Sequence, residues 1–250
     1  MTADDSVPPH VGHRRDSPVV LLQTVSLALA AGAVLGFLGA TLSRVAMRIL
    51  ALTSPARLKG SFTDDQEIVG QFTLAGTATL VLFLTAVSAL ASAGYLLART
   101  GLPARRGGRV LVWGAVGATF GSIAAIRDAD SFDYGQLGPR WLSVPMFLAL
   151  PAVTAAATAY LIEVWDKPER WFHTGGIWTT LIPGGLVMAI FWPVAIPIGV
   201  GVLLALVVRR VPALSRLWSG HPVTVLARLS IMAIIAIGVV DLTRDLQSML

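Results

Sequence analysis

The sequence contains no cysteine and few charged residues. Without cysteine, the chain has no disulfide bond, no thiolate metal site and no cysteine nucleophile. Charged residues make up 13% of the chain and hydrophobic residues 55%, whereas soluble domains carry about 25% charged residues. The mean hydropathy is +0.73. A water-soluble fold of 250 residues could not bury so much apolar surface, which excludes an ordinary soluble domain.

Motifs for catalysis, nucleotide binding and metal binding are also missing. The sequence has no Gly-x-Ser-x-Gly, no His-Glu-x-x-His and no P-loop. The four histidines, His10, His13, His173 and His221, lie outside the long apolar runs, so haem held between helices is not expected. No Asp, Glu or His lies near the centre of such a run, which argues against proton-coupled transport. We therefore expect no cofactor and no metal site.

Long apolar runs dominate what is present. A hydrocarbon core of ~30 Å needs ~20 apolar residues in a helix. Runs of about this length cover residues 18–42, 72–98, 110–126, 141–162, 177–208 and 222–240. The sequence therefore predicts an all-α, polytopic transmembrane helix bundle of about six spans. Residues 18–250 are expected to form a single transmembrane domain, and the polar residues 1–17 a disordered cytoplasmic tail.

The distribution of arginine predicts the orientation of the bundle. The loop between the second and third runs holds Arg99, Arg105, Arg106 and Arg109 and no acidic residue. Cytoplasmic loops carry an excess of Lys and Arg, so this loop and the N-terminus are expected in the cytoplasm. The loops at residues 54–70 and 128–140 are then expected on the outer side. The net charge of the chain is +5, and its basic residues lie beside the ends of the apolar runs. This position indicates contact with anionic lipid rather than nucleic acid.

The run at residues 177–208 has two interpretations. It contains Pro183, Gly184, Gly185, Pro193 and Pro197, which interrupt a regular helix. Its length favours a single kinked span, because two full crossings would need ~40 residues. Charge favours a re-entrant hairpin of two short helices, because the arginines that follow the run would then be cytoplasmic. The chain would then have seven short membrane segments. The single kinked span is the first interpretation.

Small residues recur at four-residue spacing in the first and third runs. They are Ala28, Gly32, Gly36 and Ala40 in the first run and Gly117 and Gly121 in the third. Such ridges let helix backbones approach closely where lipid supplies no hydrophobic driving force. We interpret both ridges as helix-packing surfaces.

The best candidate for a functional site is a cluster of arginines and acids expected on the outer side. Arg44 and Arg48 lie one turn apart on nearly the same face of the first helix. Charges at membrane depth are costly and usually have partners. The cluster is completed by Asp64, Asp65, Glu67, Asp128, Asp130 and Asp133, with Arg228 in the six-span arrangement. It either binds an anionic headgroup or solute, or is a structural ion-pair network, which is the favoured interpretation.

Two stretches of the sequence carry a resemblance to known proteins. The first comprises residues 47–50, 53–55, 64–65 and 70–77, and the second comprises residues 130–133, 137–142 and 147–151. Together they resemble uncharacterised multi-pass membrane proteins common in high-GC actinobacteria. The use of arginine in preference to lysine fits a high-GC coding bias. The resemblance implies no known activity, but it draws attention to Arg48, Asp64 and Asp65.

The sequence thus predicts a multi-pass protein of a bacterial cytoplasmic membrane. The first hypothesis is a non-enzymatic structural, accessory or interaction component. A channel or transporter-like protein is second, because broken helices line cavities in transporters and the outer arginines could meet a solute. An interfacial lipid-modifying enzyme is third. The expected partners are membrane lipids and either another membrane protein or a second copy of the chain, but not nucleic acid.

Overall fold

The computed structural model describes residues 18–58, 60–62, 68–69, 73–125, 138–166, 177–191, 196, 198–203 and 221–248. Within these residues the fold is all-α, as predicted. Its helices are α1 Pro18–Thr53, α2 Leu74–Ala98, α3 Arg106–Ala125, α4 Arg140–Trp165, α5 Ile177–Ile190 and α6 His221–Ser248. Residues 198–203 are also helical. The expected tail at residues 1–17 lies outside the described residues.

Four of the described helices contain segments that are long and apolar enough to cross a membrane. These segments are Val19–Thr53, Leu74–Ala98, Arg140–Trp165 and Val223–Arg244. Their exposed apolar side chains include Leu42, Phe83, Val153 and Met232. Such surfaces are typical of a membrane-embedded protein, because hydrocarbon rather than water solvates them. The number of crossings stays a prediction.

Local sequence explains where α1 ends and where α2 begins. The hydroxyl group of Ser54 donates a 2.7 Å hydrogen bond to the carbonyl oxygen of Leu50, and Pro55 has no N–H group with which to continue the helix. At the start of α2, the hydroxyl oxygen of Thr73 accepts a 3.2 Å hydrogen bond from the backbone N–H of Gly76. Thr73 therefore acts as an N-cap.

Glycines allow α1 and α2 to pack closely. A Cβ atom added at Gly32 would lie 2.8 Å from Cα of Ala89, and one at Gly36 would lie 2.7 Å from Cα of Thr85. A larger side chain at either position would push the helix backbones apart. The two contacts also show that α1 and α2 are antiparallel. The predicted role of this ridge in packing is confirmed.

The second small-residue ridge joins α3 to α4 in the same way. A Cβ atom at Gly117 would meet the carbonyl oxygen of Pro151, and one at Gly121 would lie 3.1 Å from the carbonyl oxygen of Phe147. These helices are therefore antiparallel as well. The prediction that Gly117 and Gly121 serve close packing is confirmed.

The helix pairings define two ends of the bundle. α2 and α4 end on the same side, where Arg99 forms an ion pair with Asp166, and we call this side the basic end. Arg44 lies toward the other side, which we call the opposite end. There, the hydroxyl oxygen of Ser54 accepts a 2.8 Å hydrogen bond from the backbone N–H of Gly138. This bond fixes the end of α1 to the start of α4.

α6 runs parallel to α3. A Cβ atom added at Gly101, in the turn before α3, would lie 2.7 Å from Cβ of Ala227 near the start of α6. Farther along both helices, Gly238 packs against Thr119. α6 therefore begins at the basic end, where α4 has just ended, and runs toward the opposite end.

This direction of α6 bears on the run at residues 177–208. The chain leaves α4 and re-enters the bundle at the same end, whereas a single kinked span would deliver it to the opposite end. The arrangement therefore favours the re-entrant hairpin, the second of the two interpretations. α5 packs on α1, where the backbone N–H of Gly184 donates a 3.0 Å hydrogen bond to Oγ of Ser26. Residues 192–195 and 204–220 lie outside the described residues.

Candidate functional site

The structure describes both α1 arginines of the predicted outer cluster but none of its acids. Arg44 is half-buried and Arg48 is exposed. Nε of Arg44 is buried and has no hydrogen-bond partner among the described residues. The acids outside the described residues are Asp64, Asp65, Glu67, Asp128, Asp130 and Asp133. Their pairing with the two arginines stays a prediction.

A small crevice lies between α1 and α4 on this part of the bundle. Its volume is about 10 Å³, and Met47 on α1 and Phe147 on α4 are among the residues that line it. A cavity of this size holds about one water molecule. The crevice itself therefore holds no solute larger than water, and Arg44 is not among the residues that line it.

The prediction that Arg228 belongs to this cluster is wrong. Nε of Arg228 donates a 3.2 Å hydrogen bond to the carbonyl oxygen of Gly101, in the turn between α2 and α3. This position is at the basic end, whereas Arg44 lies toward the opposite end. The prediction failed because a single crossing at residues 177–208 would have placed the first turns of the last helix on the other side.

The structure brings a different charged group together at the basic end. We call it the Glu163 cluster, and its members are Tyr95, Arg99, Arg109, Glu163 and Asp166. Oε1 of Glu163 lies 2.9 Å from Nε of Arg99 and 3.0 Å from one terminal nitrogen of Arg109. The hydroxyl group of Tyr95 donates a 2.8 Å hydrogen bond to the same oxygen. Arg99 also binds Asp166 through its guanidinium group.

Because Glu163 is buried, its pairing with the arginines is important for the stability of the bundle. The side chain of Glu163 is only 8% exposed, and a buried carboxylate without partners is strongly destabilising. Burial acts to lower the pKa of Arg99, but the hydrogen bond and negative charge of Asp166, together with Glu163, outweigh it and raise that pKa above its usual value. Arg99 therefore remains a cation, and the charges of the cluster neutralise one another.

The Glu163 cluster joins three helices through both polar and apolar contacts. Tyr95 is contributed by α2, Arg109 by α3 and Glu163 by α4. The ring of Tyr95 packs edge-on against Trp113 of α3, with centroids 5.4 Å apart and planes at 65°. Both aromatic residues belong to a buried core that also includes Leu27 of α1. The cluster thus closes the basic end over a packed core.

Three other arginines at the basic end have no carboxylate partner among the described residues. We call Arg105, Arg106 and Arg228 the uncompensated arginines. The guanidinium group of Arg106 stacks 4.3 Å from the ring centroid of Tyr160 and donates a 3.3 Å hydrogen bond to the carbonyl oxygen of that residue. Arg228 donates to the Gly101 carbonyl oxygen, its one hydrogen-bond partner in the described part of the chain. None of these contacts brings a negative charge.

The Glu163 cluster is not among the sites that the sequence predicted. One signal could have revealed it. Glu163 and Asp166 follow the fourth span and so face the same side as the arginine-rich loop. Among the described residues, no group of three or more His, Asp or Glu could hold a metal ion. The cluster therefore joins helices by charge.

Comparison with protein-family models, curated proteins and solved structures found no match.

Proposed function

We propose that this chain is an integral protein of a bacterial cytoplasmic membrane with a non-enzymatic structural, accessory or interaction role. The observation that carries the proposal is the Glu163 cluster. Active sites commonly contain a titratable group that is free to react in a cleft. The buried carboxylate at the basic end instead accepts from Tyr95 and two arginines, and the glycine seams leave the helices in direct contact.

The proposed topology places the basic end in the cytoplasm, because it carries the arginine-rich turn. Six crossings with a cytoplasmic N-terminus would bring the C-terminus back inside, whereas the re-entrant hairpin leaves it outside. Because α6 runs from the basic end toward the opposite end, we adopt five long crossings and the hairpin. The five crossings are α1, α2, α3, α4 and α6.

A labelling experiment tests this orientation directly. The chain has no cysteine, so no native residue must be replaced before labelling. A single introduced cysteine is then the site that a maleimide labels. Ala56 lies toward the opposite end and Ala104 in the turn at the basic end, and both are exposed. In intact cells, a membrane-impermeant maleimide should label Ala56→Cys at once and Ala104→Cys only after permeabilisation. The reverse pattern would overturn the orientation.

The interaction role is tested by photocrosslinking in native membranes. A photoreactive amino acid is placed at Phe83 on α2 or Leu229 on α6, two exposed apolar positions on different helices. A partner protein or a second copy of the chain should give a discrete adduct from one helix and not from the other. Lipid adducts alone at both positions, together with solute flux in reconstituted vesicles, would contradict the proposal.

A channel or transporter-like protein is the second candidate. This candidate is supported by the segment between α4 and α6, which leaves and re-enters the bundle at the same end. Re-entrant and broken helices line transport paths in other membrane proteins. Proteoliposomes containing the chain would then pass potassium or chloride faster than empty vesicles. Arg44→Gln, which removes a half-buried charge, would alter the ratio of the two fluxes.

A further inference from the structure

The uncompensated arginines at the basic end carry an inference about a ligand. Arg99 and Arg109 share the buried carboxylate of Glu163, and Arg99 also holds Asp166. No carboxylate of the described residues remains at this end for Arg105, Arg106 and Arg228. Carbonyl oxygens and an aromatic ring hold Arg106 and Arg228 in place. These partners are neutral, so they do not neutralise the positive charge of the guanidinium groups.

The apolar side chains beside Arg106 and Arg228 are exposed. Tyr160, which stacks on Arg106, is 54% exposed, and Leu226 and Leu229, which flank Arg228 on α6, are 65% and 57% exposed. These side chains belong to the surface that hydrocarbon solvates. The arginines therefore lie where the apolar surface gives way to the polar turn, which is the depth of the lipid headgroups.

We propose that Arg105, Arg106 and Arg228 make the basic end a binding surface for the phosphate groups of anionic phospholipids. The guanidinium group presents planar pairs of N–H donors that match phosphate oxygens. Stacking on Tyr160 orients Arg106, and the hydrogen bond to Gly101 orients Arg228, so less conformational entropy is lost on binding. The exposed leucines beside Arg228 supply an apolar surface for the acyl chains, which a free phosphate ion would leave empty.

This binding surface deepens the proposed function, because it rests on the chain being embedded in a membrane. Anionic lipids are concentrated in the cytoplasmic leaflet, and they attract arginines near the surface. A lipid bound at the turn between α2 and α3 would also contact the start of α6. It would therefore hold α6 to the rest of the bundle at the basic end.

The test uses the purified full chain in nanodiscs of phosphatidylcholine doped with phosphatidylglycerol. Native mass spectrometry counts the lipids that stay bound after release from the disc. We expect phosphatidylglycerol to be retained in preference to phosphatidylcholine. Arg106→Gln and Arg228→Gln should each lower this preference about fivefold, and the double variant should lower it further. Arg228→Lys, which keeps the charge but loses the planar pair of N–H donors, should retain only part of it.

A matched control is Arg57→Gln, because Arg57 is an exposed arginine toward the opposite end. It should bind phosphatidylglycerol as the parent chain does. Equal retention of both lipids by the parent chain would overturn the proposal even if the glutamine variants did not fold. So would an unchanged preference in a folded double variant, or displacement of the lipid by equimolar inorganic phosphate. Both leaflets of a nanodisc have the same composition, so a wrong orientation in the cell would not alter these results.

Discussion

The hydroxyl group of Tyr95 and Oε1 of Glu163 are joined by a 2.8 Å hydrogen bond between residues 68 positions apart in the chain. The same oxygen also accepts from Arg99 and Arg109. Three donors from α2, the following turn and α3 thus converge on one carboxylate of α4. A buried polar group that is satisfied in this way specifies which helices lie side by side, because other arrangements would leave the charge without partners.

Replacing the carboxylate should weaken the bundle. In Glu163→Gln, the two arginines lose their shared negative charge while Asp166 still pairs with Arg99. We expect a loss of about 2 to 3 kcal/mol, below the ~3–5 kcal/mol typical of fully buried pairs, because solvent reaches both arginines. Thermal unfolding in detergent measures the change. Asp241→Asn on α6 is the control and should unfold like the parent chain, and an equal shift in both variants would contradict the role of the cluster.

Removing the tyrosine hydroxyl group should have a smaller effect. Tyr95→Phe keeps the ring contact with Trp113 but removes one donor to Glu163, so we expect a loss of about 1 to 2 kcal/mol. In the Glu163→Gln background the same substitution should cost less, because the charged acceptor is already gone. A double-mutant cycle of unfolding free energies checks this coupling. Tyr160→Phe, with an exposed ring, serves as the control, and strictly additive losses would argue against the hydrogen bond.

The close seam between α1 and α2 should not tolerate a methyl group. In Gly36→Ala, the new Cβ atom would lie 2.7 Å from Cα of Thr85, so the helices must separate at a cost of about 1 to 3 kcal/mol. Gly185→Ala on α5 is the matched control, because nothing lies within 4 Å of its added Cβ atom. Unfolding in detergent should show destabilisation of the first variant only. Equal stability of the two variants would mean that the seam is looser than described.

The direction of α6 predicts the side of the C-terminus. Gln247 is exposed near the end of this helix, which runs away from the basic end. An impermeant maleimide should therefore label Gln247→Cys together with Ala56→Cys, and not with Ala104→Cys. Labelling together with Ala104→Cys would restore a single crossing at residues 177–208 and would exclude the hairpin.

The helices and their packing ridges were accessible from sequence for a physical reason. A bilayer crossing demands an apolar run of a set length, and close contact between helices demands small residues at regular spacing, as at Gly32 and Gly36. Both requirements concern one helix at a time. The pairing of Glu163 with Arg99 and Arg109 depends on which helices are neighbours, and no local pattern encodes that.

The misplacement of Arg228 has a different cause. The side of every residue after position 208 depends on how many times the preceding chain has crossed, so one wrong crossing reverses all that follows. Length argued for a single crossing because two complete spans did not fit. The described α5 has only 14 residues, fewer than a full crossing needs, and a length rule for full crossings does not apply to such a helix.

The length of α1 has a consequence for the kind of bilayer that suits this chain. Its 36 residues extend about 54 Å, against a hydrocarbon thickness of ~30 Å. Such hydrophobic mismatch is relieved by tilt or by projection beyond the lipid. Arg44 lies about 39 Å along the helix from its start, so bilayer thickness sets whether its guanidinium group sits in hydrocarbon or among headgroups. A thin membrane leaves this charge hydrated, and a thick one tilts the helix or draws the charge inward.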